Sequence, residues 1–240
     1  MSEHTEPRSA LYDRHVAAGA VMVDVAGWSM PRHYGDPAAE ARALRERAGV
    51  FDLSHHGRIR IRGDGALNLL ERTCGEEIGG QEDDTARIVT VRDGAAGELD
   101  TGRLIRLESF WVLVTAPERR PAVLAALEPL AEEMDAKADD QTFKTTMIGV
   151  AGPRAADILD AVLPFRASDI AKGEVKFGSL MIARYIAERL DVAGLWGVRV
   201  QVPNMVAGQA WRFITEKAGQ NALSPVGLEA LGALLSEAEG

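Results

Sequence analysis

The segment IRIRGDGA, Ile59 to Ala66, has a second copy at Ile148 to Ala155, which reads IGVAGPRA. In both copies an apolar strand runs into Gly-x-x-Ala and then a helical pattern. Glycine lets the chain turn off the strand, and alanine opens the helix. Further on, Val112 to Thr115 with a helix from Pro117 is matched by Val198 to Val202 with a helix from Pro203. Each half therefore reads strand, helix, further strands, then strand and helix, the order of a split βαβ unit. The predicted class is α+β, with two pseudo-repeated lobes of antiparallel sheet and helix: residues 1–140, carrying an extra N-terminal helix and strand, and residues 141–240. A parallel dinucleotide-binding sheet would need regular strand-helix alternation and a glycine fingerprint after its first strand, and neither is present.

Outward from these copies, Leu11 to Ala18 reads as a short amphipathic helix and Val21 to Val25 as an apolar strand. Gly27 to Pro31 reads as an aromatic-bearing turn. Asp36-Pro37 has the form of an N-cap with proline at the first helical position, and the helix runs to a stop at Gly49. Arg58, Arg60 and Arg62 alternate with isoleucines, so they share one strand face, expected to be solvated. Residues 64–74 form a helix ending at a buried Cys74, Gly75 to Asp84 is an acidic loop, and Ala136 to Asp140 is a polar linker. Ser224-Pro225 caps the closing helix.

Composition narrows the function. The chain has 240 residues, 46% of them hydrophobic, enough for a sizeable core. A net charge of −9 disfavours nucleic acid as a partner. The single cysteine excludes an intrachain disulfide and a Cys-x-x-Cys metal or redox motif. No run is long and apolar enough for a membrane span and no leader pattern opens the chain, so the expected setting is cytoplasmic.

The chemistry-bearing stretch is RDGAAGELDTGRLIRL, Arg92 to Leu107. A turn at Asp93-Gly94 enters a strand on which Thr101, Arg103 and Ile105 share one face and Asp100, Gly102 and Leu104 the other. A bulge permitted by Gly97 and Gly102 would let Asp100 change face. His55-His56 invites a metal reading, but adjacent residues on an extended segment point apart, so no metal is expected. His56 is a candidate general base. Glu188 and Asp191 read as loop charges, and Trp111, Trp196 and Trp211 as core residues.

Five segments, LYDRHVAAGAVMVDVAGWSMPRHYGD, RERAGVFDLSHHGRIRI, DGAAGELDTGRLIRL, GVAGPRAADIL and SPVGLEALGALLSEAEG, together resemble the aminomethyltransferase (T-protein) family of the glycine cleavage system. The resemblance runs from Leu11 to the C-terminus and implies a two-lobed α+β body of the folate-binding type, without the β-barrel that usually follows. It implies tetrahydrofolate as cofactor and one-carbon transfer, aminomethyl or methyl, as the reaction. The family's adjacent aspartates fall at Asp100-Thr101, so the second, which faces the folate and the reacting amine, is a hydroxyl here. A folate-stacking tyrosine falls at Ile88, a pterin-anchoring glutamate at Arg199, and the family's Tyr-Thr-Gly-Glu run at Val192 to Leu195. Its methionine after Ser-His falls at His56. Lys172 matches a lysine near the folate tail.

The resemblance thus implies a site with Asp100, Thr101 and His56 as catalytic candidates and Ile88, Arg103, Lys172, Leu195 and Arg199 as cofactor-binding candidates. Two readings follow from it. One is an enzyme with altered folate chemistry. The other is a catalytically silent homologue serving as a subunit or partner of a one-carbon or amine-oxidising complex, similar to the small subunit of heterotetrameric sarcosine oxidases. The first takes a folate-type small molecule; the second a partner chain in a homo- or hetero-oligomer.

Overall fold

The computed structural model describes residues 7–93, 97–180, 183–217 and 223–238. Gly94, in the expected hairpin turn, lies outside them. In chain order the elements are α1 (Tyr12–Ala17), β1 (Val21–Val25), β2 (Trp28–His33), α2 (Pro37–Glu46), β3 (Gly49–Asp52), β4 (Gly57–Arg62), α3 (Ala66–Cys74), β5 (Thr85–Asp93), β6 (Gly97–Leu107), β7 (Phe110–Thr115), α4 (Arg120–Glu133) and β8 (Lys137–Asp140). They continue as β9 (Thr145–Ala151), α5 (Ala155–Asp160), β10 (Val175–Leu180), β11 (Ala183–Val192), β12 (Leu195–Pro203), α6 (Asn204–Lys217), β13 (Ser224–Pro225) and α7 (Leu228–Ala238). Asp36 caps α2 by accepting from the Ala38 N–H at 2.9 Å, with Pro37 at the first helical position.

The chain forms two compact units: residues 1–55, 145–172 and 178–240 in one, and 56–144 with 173–177 in the other. The expected boundary at 140 marks only one of the crossings. Residues 1–55 go with the C-terminal half because β3 pairs antiparallel with β9, Val50 opposite Val150. Non-local strand pairing of this kind leaves no mark in local sequence pattern.

The second unit holds a sheet of order β5-β6-β7-β4-β8. Its core lies on one side, where Ile59, Ile61, Leu104 and Leu113 pack with Leu69 and Leu70 of α3 and Val123 and Leu127 of α4. The first unit holds a sheet of order β10-β11-β12-β9-β3-β13 and, separately, the β1-β2 hairpin. Matching β4 with β9, β5 with β10, β6 with β11 and β7 with β12 gives the same strand order in both sheets, as the repeat predicts. β13 meets β3 in parallel over two residues, whereas β3-β9, β9-β12, β11-β12 and the pairs of the second unit's sheet are antiparallel.

Four local expectations are corrected. Trp28 to Pro31 belongs to β2, paired with β1, instead of forming a turn. Residues 137–140 are β8, an edge strand on β4, instead of a linker. Ser224-Pro225 is a short strand rather than a cap. The face of Arg58, Arg60 and Arg62 is not uniformly solvated. Arg58 is fully buried, donating to the carbonyl oxygens of His56 (2.6 Å) and Thr142 (2.5 Å). Segment 141–144 covers it, and charge-assisted bonds to carbonyls offset the cost of burying the guanidinium.

Candidate functional site

The β5-β6 hairpin sets the site geometry of the second unit. Ile88 lies opposite Arg103 and Thr90 opposite Thr101, so these four side chains share one face. Ile88 is 68% exposed, an unusual place for isoleucine. Asp100 faces the other way. It is buried and accepts from the Ala116 N–H at 3.0 Å, tying β6 to the segment that enters α4.

The bulge exists, and it moves a different carboxylate. Val91 pairs with Asp100, but Arg92 pairs with Glu98, which leaves Leu99 as the extra residue. Leu99 turns toward the core and Glu98 toward the Thr101 face. Gly97, at φ 93°, supplies the backbone conformation that the turn into this strand requires. Thr101 Oγ1 donates to Glu98 Oε1 at 3.0 Å. Simple alternation puts Glu98 on the core face, so the sequence alone does not bring it to Thr101.

His56 lies at the start of this unit, half-buried, directly before Gly57. Gly57 pairs with Thr115, whose hydroxyl occupies the space where a Cβ would sit, so the His56 backbone lies in the same corner as Ala116 and the Asp100 carboxylate. His55 is buried.

The remaining candidates lie in the first unit. Lys172 is exposed and 3.7 Å from Asp191. Leu195 begins β12 opposite Val192, against the core formed with Leu44 and Phe51. Arg199 pairs with Glu188 directly across β11 and β12, both side chains nearly buried. Glu188 is therefore a strand residue that neutralises Arg199, not a loop charge. Trp111 and Trp211 are buried as expected.

A second polar cluster, which the sequence did not reveal, lies within the first unit. Asp52 Oδ2 accepts from Ser9 Oγ (2.5 Å) and His15 Nε2 (3.0 Å), and Oδ1 accepts from the Ser54 N–H (2.8 Å). His15 Nδ1 is hydrogen-bonded to the Tyr34 hydroxyl at 2.7 Å. Burial alone would raise the Asp52 carboxyl, but the bond and charge of His15 and the bonds from Ser54 and Ser9 outweigh it and hold it below the usual range. Burial, followed by Asp52 and Glu40, pushes the Tyr34 phenol up, so it stays protonated. Its partners are too far apart in sequence to be seen as a group.

Among the described residues no three His, Cys, Asp or Glu side chains are placed to hold a metal ion, and no helix is long and apolar enough to cross a membrane.

Two α+β units built on one repeated strand order define the class, and comparison places the chain within it. The model of the GCVT N-terminal domain matches residues 11–239, and the chain belongs to that aminomethyltransferase family. An aminomethyltransferase of Alcanivorax borkumensis is 31% identical over 96% of this chain and 63% of its own length. The structure of glycine cleavage system aminomethyltransferase T from Bartonella henselae superimposes with a TM-score of 0.87 at 26% identity, over 98% of this chain and 63% of that one. A chain of the heterotetrameric sarcosine oxidase of Corynebacterium sp. U-96 shares the fold at a TM-score of 0.56 and 13% identity, over 78% of this chain and 92% of that one. The chain spans less than two thirds of the length of the curated relatives it matches first.

Proposed function

We propose that the protein transfers a one-carbon unit, aminomethyl or methyl, with tetrahydrofolate, through an altered site around Thr101, Arg103, Ile88 and His56. The observation that carries this reading is the exposed Ile88 beside Arg103 on the β5-β6 face. An apolar platform next to a guanidinium suits a planar ring system with an anionic tail. Lys172, Leu195 and Arg199 belong to the first unit, where Lys172 lies by Asp191 and Arg199 pairs with Glu188. Bound tetrahydrofolate would accept the one-carbon unit. The protein's own groups position it, with Asp100 holding β6 to the α4 entry and His56 as the nearby titratable group.

The test is calorimetric titration with tetrahydrofolate and 5-formyltetrahydrofolate. Saturable micromolar binding, weakened at least tenfold by Ile88→Asp, is the expected result. Absence of binding favours the second reading, a catalytically silent subunit that works with a partner chain. The inward turn of Asp100 is the observation on that side.

A further inference from the structure

The strand bulge in β6 has a chemical effect. In an unbroken strand, with Asp100 against the core, Leu99 would face outward and Glu98 inward. The extra residue reverses both, and Glu98 joins Thr101, Thr90, Ile88 and Arg103 on the outer face. The Thr101 hydroxyl donates to one oxygen of Glu98 and leaves the other oxygen and the charge for a ligand. Asp139, another carboxylate on this face of the sheet, is held by Arg60 and Arg62. Glu98 is exposed, and Arg92 lies opposite it in the strand register.

We propose that Glu98, oriented by Thr101, is the carboxylate of this site and receives the N–H donors of an amine-bearing ligand. The proposal rests on the folate reading and adds which residue meets the nitrogen. Thr101 is then a positioning residue: its hydroxyl fixes one Glu98 rotamer and lowers the cost of ordering a flexible exposed side chain. Arg103 lies one alternation further along the same strand face. The ligand class that fits is one carrying a nitrogen donor.

The experiment is a calorimetric titration of tetrahydrofolate into the unmodified protein and Glu98→Gln, Thr101→Val, Glu98→Gln/Thr101→Asp and Glu108→Gln variants, with thermal melts to confirm folding. The expected pattern is at least tenfold weaker binding for Glu98→Gln, a smaller loss in the same direction for Thr101→Val, and recovery in the double variant. Glu108→Gln, which removes an equal charge from an exposed position elsewhere in this unit, should bind as the unmodified protein does. Binding by the unmodified protein that Glu98→Gln leaves within twofold overturns the Glu98 assignment and leaves the folate reading standing. No binding by the unmodified protein overturns the folate reading and the assignment with it. If Glu98→Gln fails to fold, Thr101→Val decides: unchanged affinity there overturns the proposal.

Discussion

Arg58 shows how one side chain can reverse an expectation drawn from alternation. Its spacing with Arg60 and Arg62 predicts a wet face, yet it is fully buried and its bonds to His56 and Thr142 hold the start of β4 to segment 141–144. Arg58→Ala should cost about 3 kcal/mol, because carbonyls that accepted charge-assisted bonds are left buried and unpaired. A urea titration would show this as a lower midpoint. Asp52 gives a prediction with a sign in pH. Its folded-state carboxyl lies below the ordinary 3.8, so its contribution is fully present above that value and is lost as pH falls through the folded value. Asp52→Asn should lose about 3 kcal/mol at neutral pH and show a shallower fall in stability below pH 4 than the unmodified protein, followed by denaturation across pH.

At the scale of elements, two contacts join parts of the first unit that are distant in sequence. Glu40 on α2 is buried and accepts from the Tyr34 N–H at 2.6 Å and the Gly227 N–H at 2.8 Å, tying the end of β2 to the approach to α7. Glu40→Ala should cost about 2 to 4 kcal/mol by stranding two buried donors, read from the same urea titration. In β9, Gly149 lies between Phe51 of β3 and Arg199 of β12. A Cβ on Gly149 would fall 2.1 Å from the Phe51 ring, so Gly149→Ala must displace the ring or spread the strands. The expected loss is at least about 2 kcal/mol, with a lowered melting temperature. Neither requirement is visible in the residues flanking Gly149, since Phe51 reaches it from a strand almost a hundred positions away.

At the scale of the molecule, the units differ in how much continuous chain they use. Every residue of the second unit's core, from Ile59 to Ala136, lies within segment 56–144, which also contains its whole sheet. A 56–144 fragment should therefore fold alone with a single cooperative thermal transition by circular dichroism. A 145–240 fragment should not, because the first unit's cores require Leu11, Leu44, Val50 and Phe51 from the opposite end of the chain.

The repeat at Ile59 and Ile148, with the alternation and capping around each copy, made the two-unit α+β class and most elements readable from the sequence. Those signals arise from contacts within a few residues along the chain. The motifs at residues 11–62 and 92–107 likewise pointed to the family. Tertiary structure decided the rest: that residues 1–55 complete the C-terminal unit, that residues 137–140 pair as an edge strand, that Arg58 is buried, that Glu188 meets Arg199, and that Ser9, His15, Tyr34 and Asp52 converge. Each depends on which distant strand or segment lies opposite, and residue type does not encode that partner. The bulge in β6 sits between the two. Its glycine was legible, but only pairing against Val91 and Arg92 selected Leu99 as the extra residue and so turned Glu98, rather than Asp100, toward Thr101.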